Sequence, residues 1–161
     1  MKTKKIVIIA LFIALSFIGA NIKIMGTIAF DSMPAFLGAL IFGPVVGAVI
    51  GAIAHFLTAL TSGFPLSLPV HIIIMVDMAI TMSLFSLVYN KFKNKNAKLA
   101  VILSIIVGTI INGPISVLCV MPIVGKGVLS VLPILTLAAI VNIVLALIVY
   151  KFIPKEFKKI F

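Results

Sequence analysis

The chain has few of the side chains from which active sites, metal sites and disulfides are built. Its 161 residues include three acidic residues, two histidines and one cysteine. Cys119 alone cannot form an intramolecular disulfide. No Gly-rich phosphate loop, His-Glu-x-x-His pair, Gly-x-Ser-x-Gly turn or cysteine cluster occurs in the sequence. The sequence therefore predicts no enzyme, no metal site and no bound cofactor.

Arginine is also absent, so all thirteen basic residues are lysines. The formal net charge of +10 is compatible with nucleic-acid binding. Proteins of that class, however, carry a basic stripe interleaved with aromatic residues on a soluble module. Here the lysines flank apolar segments, so nucleic acid is not predicted as a partner.

Long apolar segments make up most of the sequence. Hydrophobic residues make up 63% of the chain and charged residues 10%, and the mean hydropathy is +1.41. A water-soluble domain of this size cannot bury so much apolar surface, which predicts a multi-pass protein of the cell membrane with the lipid bilayer as its solvent. Eleven of the thirteen lysines fall in three clusters: Lys2, Lys4 and Lys5; Lys91, Lys93, Lys95 and Lys98; and Lys151, Lys155, Lys158 and Lys159.

The lysine clusters set the predicted topology. Lysine is retained on the cytoplasmic side of short loops, so the start, middle and end of the chain are expected in the cytoplasm, with an even number of spans on each side of the middle cluster. A span needs about 20 apolar residues. We predict one domain over residues 1–161, an all-α membrane protein with six transmembrane helices and cytoplasmic N and C termini. The expected helices cover about 5–25, 33–42, 44–60, 69–89, 97–120 and 128–150.

The first segment has a competing interpretation, because residues 1–20 also resemble a secretory signal with lysines, an apolar stretch and Gly19-Ala20. Ile18 makes a poor cleavage site. Removing the segment would also leave five helices whose lysine clusters are harder to orient. We therefore predict that it stays as the first span.

Small residues recur at helical spacing in two places. Gly43, Gly47 and Gly51 follow one another every four residues, which predicts close helix packing rather than a ligand site. Ala10 and Ala14 form a similar small face on the first helix. Periodicity alone does not decide whether that face packs internally or receives another protein. The second helix is expected to start at the cap residues Asp31-Ser32, with Pro34 in its first turn.

Ionisable groups inside a membrane are costly and are therefore candidates for function. Asp77 is expected about 12 Å below Pro69, from the rise per helical residue, and Asn112 at a similar depth. Asp77 favours a ligand-binding role, since a carboxylate at that depth needs a cation, a donor or a proton. His55 fits a hydrogen bond to a neighbouring helix as well as a ligand contact, and His71 fits the membrane interface. Asn142 is expected deeper, toward the cytoplasm, in an interhelical hydrogen bond.

The loop at 61–69 combines turn residues, hydroxyls and one aromatic side chain. It suits a cover over a cavity, although a sharp connector with two prolines has the same composition. Phe64 of this loop, and Phe30 before the second helix, are candidates for stacking on a ligand ring.

Several of these features together resemble the substrate-binding S components of energy-coupling factor (ECF) transporters, over the whole chain. They are the six-helix plan, the Ala10-Leu11-Phe12-Ile13-Ala14 face, and Phe42-Gly43-Pro44 followed by Gly47 and Gly51. The resemblance implies a binding subunit that captures a vitamin or vitamin precursor from outside. It also implies docking, through Ala10 and Ala14, on a transmembrane coupling subunit that works with two ATPase subunits. The ligand would lie between helices four to six and the loop after helix one.

Within that family, Phe30-Asp31-Ser32-Met33-Pro34 and the stretch from Ser62 to His71 most resemble the S components assigned to α-ribazole, a nucleoside precursor of cobalamin. Such a ligand needs an apolar slot for its benzimidazole and hydrogen-bonding groups for its ribose. S components for riboflavin or pantothenate, and a self-sufficient secondary transporter, remain alternatives, although the two halves show no repeat typical of the latter. The predicted substrate-binding residues are Phe30, Asp31, Phe64, His71, Met75, Asp77, Met78 and Asn112.

Overall fold

The computed structural model describes residues 2–21, 23–24, 28–29 and 31–154, and the predicted site residue Phe30 lies outside them. The described chain is a helical bundle with one small antiparallel strand pair, in which Lys23 pairs with Ala29 and Ile24 with Ile28. A π-helical segment, Ile111–Ile115, joins α5 to α6, and a 3₁₀ segment, Lys126–Val131, precedes α7. The elements are α1 (Lys2–Asn21), β1 (Lys23–Ile24), β2 (Ile28–Ala29), α2 (Met33–Phe42), α3 (Pro44–Thr61), α4 (Leu68–Phe92), α5 (Ala97–Ile110), α6 (Ser116–Val124) and α7 (Leu132–Phe152).

Among the described residues, five helical segments are long and apolar enough to cross a membrane: Thr3–Asn21, Pro44–Thr61, Leu68–Phe92, Ala97–Val124 and Lys126–Phe152. The predicted multi-pass, all-α architecture is thereby confirmed. Helix α2 has ten residues and spans about 15 Å, half of a hydrocarbon core of about 30 Å. The count of six spans and the cytoplasmic location of both termini therefore stay predictions.

Helix α2 begins and ends where its sequence predicts. Pro34 occupies its first turn, where a missing N–H costs nothing. Gly43 ends it with φ of 88°, a conformation that glycine adopts without strain, and Pro44 then starts α3. Ser32 is the N-cap residue of α2, as predicted, although its side chain makes no capping hydrogen bond. Its hydroxyl instead donates to Oδ1 of Asp31 at 3.4 Å.

Helix α2 forms the centre of the bundle. It packs against α1, α3, α4 and α7, and every residue from 34 to 41 is buried. The Phe36 ring meets Phe85 of α4 edge to face, with centroids 4.9 Å apart. This arrangement places the N-terminus of α2, and the preceding Asp31 and Ser32, against the inner faces of α3, α4 and α7.

The glycines at 43, 47 and 51 do not share one role. Gly43 makes the turn between α2 and α3, whereas the other two allow helices to approach. A Cβ atom at Gly47 would lie 2.7 Å from the Cα of Ala39 in α2, and one at Gly51 would lie 2.9 Å from Cγ of Met82 in α4. The predicted close packing is therefore confirmed for Gly47 and Gly51.

The span Ala97–Val124 is interrupted by a π-helical segment that contains Pro114. Pro114 lies inside the π-helical segment and has no N–H with which to continue the helical ladder. The segment packs against α7, where a Cβ at Gly113 would lie 3.0 Å from Oγ1 of Thr136. Asn112 is thereby held on a wide turn between α4 and α7.

Candidate functional site

The bundle encloses a polar cavity beside the N-terminus of α2. Its volume is about 180 Å³, and it is built from the loop before α2, from α3, α4, α6 and α7, and from the π-helical segment. The lining residues are Asp31, Ser32, His55, Ile74, Met78, Asn112, Ser116, Leu135, Ala138, Ala139 and Asn142.

Three of the predicted substrate-binding residues line this cavity, namely Asp31, Met78 and Asn112. Four others have described positions but do not line it: Phe64, His71, Met75 and Asp77. The predicted ligand contacts stay predictions. Polar side chains from separate segments, Asp31, His55 and Asn112, nevertheless line one cavity.

His55 enters the cavity wall through a chain of hydrogen bonds that begins in the loop after α3. Nε2 of His71 lies 2.7 Å from the carbonyl oxygen of Pro65, and a carbonyl only accepts, so this nitrogen carries a proton. In neutral His71 the other nitrogen, Nδ1, is then an acceptor. Nε2 of His55 lies 3.1 Å from it and must be the donor.

This chain fixes the chemical character of His55. With Nε2–H committed to His71, the neutral ring of His55 has only Nδ1 left, and Nδ1 is an acceptor. In this neutral pair, Nδ1 of His55 is therefore a hydrogen-bond acceptor. His71 was predicted to touch the ligand. It does not line the cavity but bonds to His55, and so it orients the His55 ring, which does line the cavity.

The loop between α3 and α4 is tied to the same histidine. The Phe64 ring centroid lies 5.9 Å from that of His71 and 5.8 Å from that of Phe56. Phe64 and Leu66 have φ of 51° and 73°, values that are uncommon for residues other than glycine. Phe64 thus already has two ring neighbours, and its backbone N–H donates to the carbonyl of Ala59 at 2.8 Å.

Asn142 is the largest omission of the predicted site. It was expected deeper, toward the cytoplasm, yet it lines the cavity together with Asp31. The predicted interhelical hydrogen bond is confirmed, since Oδ1 of Asn142 on α7 accepts from the backbone N–H of Met33 on α2 at 2.9 Å. An amide side chain inside a membrane helix is itself a reason to expect a functional role. The sequence does not show its partner, because that partner is a backbone group of a distant helix.

Asp77 lies behind the cavity rather than in it. Its side chain is 6% exposed, and its carboxyl interacts with the Ser116 side chain on α6. Oδ2 of Asp77 has no hydrogen-bond partner among the residues that the structure describes. The carboxyl contributes to the wall of an apolar groove of about 420 Å³ on the outside of the bundle. The groove is lined by Ile72, Ile73, Val76, Asp77, Ile80, Leu84, Ile111, Ile115 and Cys119.

The cavity lining carries both hydrogen-bond donors, such as the hydroxyls of Ser32 and Ser116, and acceptors. Asp31 supplies a carboxyl group, His55 a ring nitrogen and Asn112 an amide oxygen. No lysine is among the described residues that line it.

A separate surface of α1 carries the two alanines predicted for docking. Ala10 and Ala14 are exposed, while Phe12 and Ser16 between and beyond them are buried against the bundle. Large apolar residues extend the exposed face: Ile6, Val7, Leu11, Leu15 and Ile18. The small residues therefore do not serve packing within this chain, which leaves the face free for lipid or for another protein.

The model of the family described as "ECF transporter, substrate-specific component" matches residues 4–154. No curated protein matches the chain. No solved structure matches it either.

Proposed function

Because this chain belongs to the substrate-specific components of ECF transporters, we propose that it captures a vitamin or vitamin precursor from outside the cell membrane, with α-ribazole as the best candidate. The family is a transporter component rather than an enzyme. In this proposal the protein passes its cargo inward together with a transmembrane coupling subunit and two ATPase subunits. In this proposal both termini face the cytoplasm, and α2 is counted with the five long helices to give six.

The polar cavity beside α2 is the observation that carries this proposal. A bundle in lipid gains nothing from gathering a carboxyl, an imidazole and amides around an open volume, since each polar group placed in a membrane is costly. Asp31, His55 and Asn112 come from three separate segments and line the same cavity. Such convergence of a few polar groups among apolar walls is the usual form of a small-molecule site.

The groups around the cavity support an uncharged ligand with several donors. α-Ribazole carries ribose hydroxyls, which match acceptors at Asp31, His55 and Asn112. Met78, Ile74 and Leu135 supply apolar surface for part of a ring. Anionic vitamins such as pantothenate fit less well, because the described lining offers them no cation.

The exposed Ala10 and Ala14 support the partner in the proposal. Small residues on a lipid-facing helix let another helix approach closely. This face lies on α1, whereas the cavity is built mainly from α3, α4, α6 and α7. Docking and ligand capture would thus occupy different sides of the bundle.

Calorimetric binding to the detergent-purified protein tests the proposal, with α-ribazole measured beside thiamin, riboflavin, biotin and pantothenate. We expect nanomolar binding of α-ribazole. Tight binding of another vitamin would keep the transporter role and replace the cargo. Binding of none, together with uptake by the protein alone in liposomes without ATPase subunits, would contradict the proposal in favour of a self-sufficient transporter.

A further inference from the structure

One wall separates the polar cavity from the apolar groove on the outside of the bundle. In α4, Met78 lines the cavity while its neighbour Asp77 lines the groove. In the π-helical segment, Asn112 lines the cavity while Ile111 and Ile115 line the groove. Neighbouring residues of α4 and of the π-helical segment therefore line the two volumes, so these segments form a wall between them.

The weakest part of this wall is the contact between Asp77 and Ser116. Ser116 lines the cavity, Asp77 lines the groove, and their side chains interact across the wall. Oδ2 of Asp77 is buried without a hydrogen-bond partner among the described residues. A buried carboxyl oxygen in an apolar wall is costly unless a donor reaches it, so this atom requires a donor that the described chain does not supply.

The cavity alone is small for a vitamin. Sites for ligands of that size measure about 300–1,000 Å³, whereas the cavity has about 180 Å³. The neighbouring groove adds about 420 Å³ of almost wholly apolar space. Since the two lie side by side, a ligand with one polar and one apolar part would fill both if the side chains of Asp77 and Ser116 separated.

We propose that the groove between α4 and α6 is an apolar subsite for the flat ring of the ligand. The hydroxyl-bearing part of the ligand occupies the polar cavity, and Asp77 accepts a hydrogen bond from the ligand where the two volumes meet. This inference rests on the proposed function and specifies the substrate class as an uncharged amphipathic molecule with an aromatic ring and hydroxyl groups. The Ser116 hydroxyl gives up its contact with Asp77 when the ligand enters.

Cys119 is a natural reporter for this subsite. It lines the groove, it is exposed, and it is the only cysteine of the chain. The rate at which N-ethylmaleimide alkylates the protein in lipid nanodiscs, followed by intact mass, is therefore the rate at Cys119 alone. We expect benzimidazole, used as the bare ring, to slow this rate in a saturable manner, and α-ribazole to slow it at least fivefold at lower concentration.

Two matched variants separate the subsite from general partition of the ring into lipid. Ile115→Trp fills the groove, so we expect it to abolish protection by benzimidazole and to weaken α-ribazole binding at least tenfold. Ile106→Trp adds the same side chain at an exposed position of α5 outside the groove, and protection should persist. An unchanged alkylation rate with both probes, or protection that survives Ile115→Trp, would overturn the subsite.

The role of Asp77 is measured separately. We expect Asp77→Ala to weaken α-ribazole binding at least tenfold, and Asp77→Asn, which keeps one acceptor oxygen, to weaken it less. Unchanged affinity in Asp77→Ala would remove Asp77 from the ligand site.

If no vitamin binds the protein, the proposed function fails, while protection of Cys119 by benzimidazole still tests whether the groove binds a ring. If α-ribazole binds without protecting Cys119, the subsite alone fails.

Discussion

The backbone N–H of Met33 donates to Oδ1 of Asn142 over 2.9 Å, although 109 positions of the chain separate the two residues. The first N–H groups of a helix have no partner within the helix, so α7 supplies the cap that Ser32 does not. Asn142 also donates from Nδ2 to the carbonyl of Ala138 at 2.9 Å, which fixes the orientation of its amide. The N-terminus of α2 is therefore held at the cavity wall by a side chain of another helix.

Replacing Asn142 should lower stability. In Asn142→Ala the N–H of Met33 loses its acceptor in a partly buried setting. The free energy of unfolding should fall by about 1–3 kcal/mol. Thermal denaturation in detergent would measure the loss. Asn90→Ala is the matched control, because Asn90 lies on α4, where its amide donates to the Ser86 hydroxyl at 3.2 Å, a side chain rather than a backbone group. Equal denaturation temperatures for the two variants would contradict the capping role.

The histidine chain should affect ligand binding through His55. His55→Phe removes the acceptor from the cavity and is expected to weaken binding about threefold to tenfold, the worth of one hydrogen bond. His71→Phe keeps a ring beside Phe64 but removes the group that orients His55, so its effect should be similar or smaller. The double variant should bind no more weakly than His55→Phe, since His71 acts through His55. Additive losses in calorimetry would show that His71 contacts the ligand independently.

The exposed face of α1 should matter for transport and not for capture. Ala10→Leu or Ala14→Leu adds bulk where close helix approach is expected, so uptake with the coupling and ATPase subunits should be abolished while calorimetric binding stays unchanged. Ala97→Leu, at an exposed position at the start of α5, should leave both unchanged. Loss of ligand binding in the α1 variants would argue against a docking role.

Gly47 should be intolerant of even one methyl group. A Cβ there would lie 2.7 Å from the Cα of Ala39, a backbone atom that cannot move aside alone, so Gly47→Ala should cost about 1–3 kcal/mol through overpacking. Gly127→Ala is the control, because a Cβ at that position meets nothing within 4 Å. Similar denaturation curves for both variants would show that α2 and α3 can separate freely.

Local signals predicted the helices well. Pro34 and Gly43-Pro44 specify the bounds of α2 by rules that act within one turn, and the observed helix, Met33–Phe42, covers the predicted residues. The interruption near Asn112 also has a local cause, because Pro114 has no N–H with which to continue the helical ladder. Such features depend on the backbone preferences of adjacent residues, and these are written in the sequence itself.

The contacts of the candidate site were less predictable. Helical spacing gave the depth of Asp77 but not the side of α4 on which it lies, and a rotation of one residue separates the cavity side at Met78 from the groove side at Asp77. The pairing of His55 with His71 depends on how α3 and α4 pack together. The depth of a residue follows from the rise of its own helix, whereas the direction in which its side chain points depends on how several helices pack together.

The burial of α2 also changes how the bilayer acts on the protein. A helix in contact with lipid responds to the local hydrocarbon thickness by tilting or by deforming the bilayer. Residues 34–41 of α2 are instead enclosed by other helices, so a helix of half the usual length carries no mismatch with the lipid. The outer helices can tilt in bilayers of different thickness while α2, whose N-terminus borders the cavity, is not strained by the lipid.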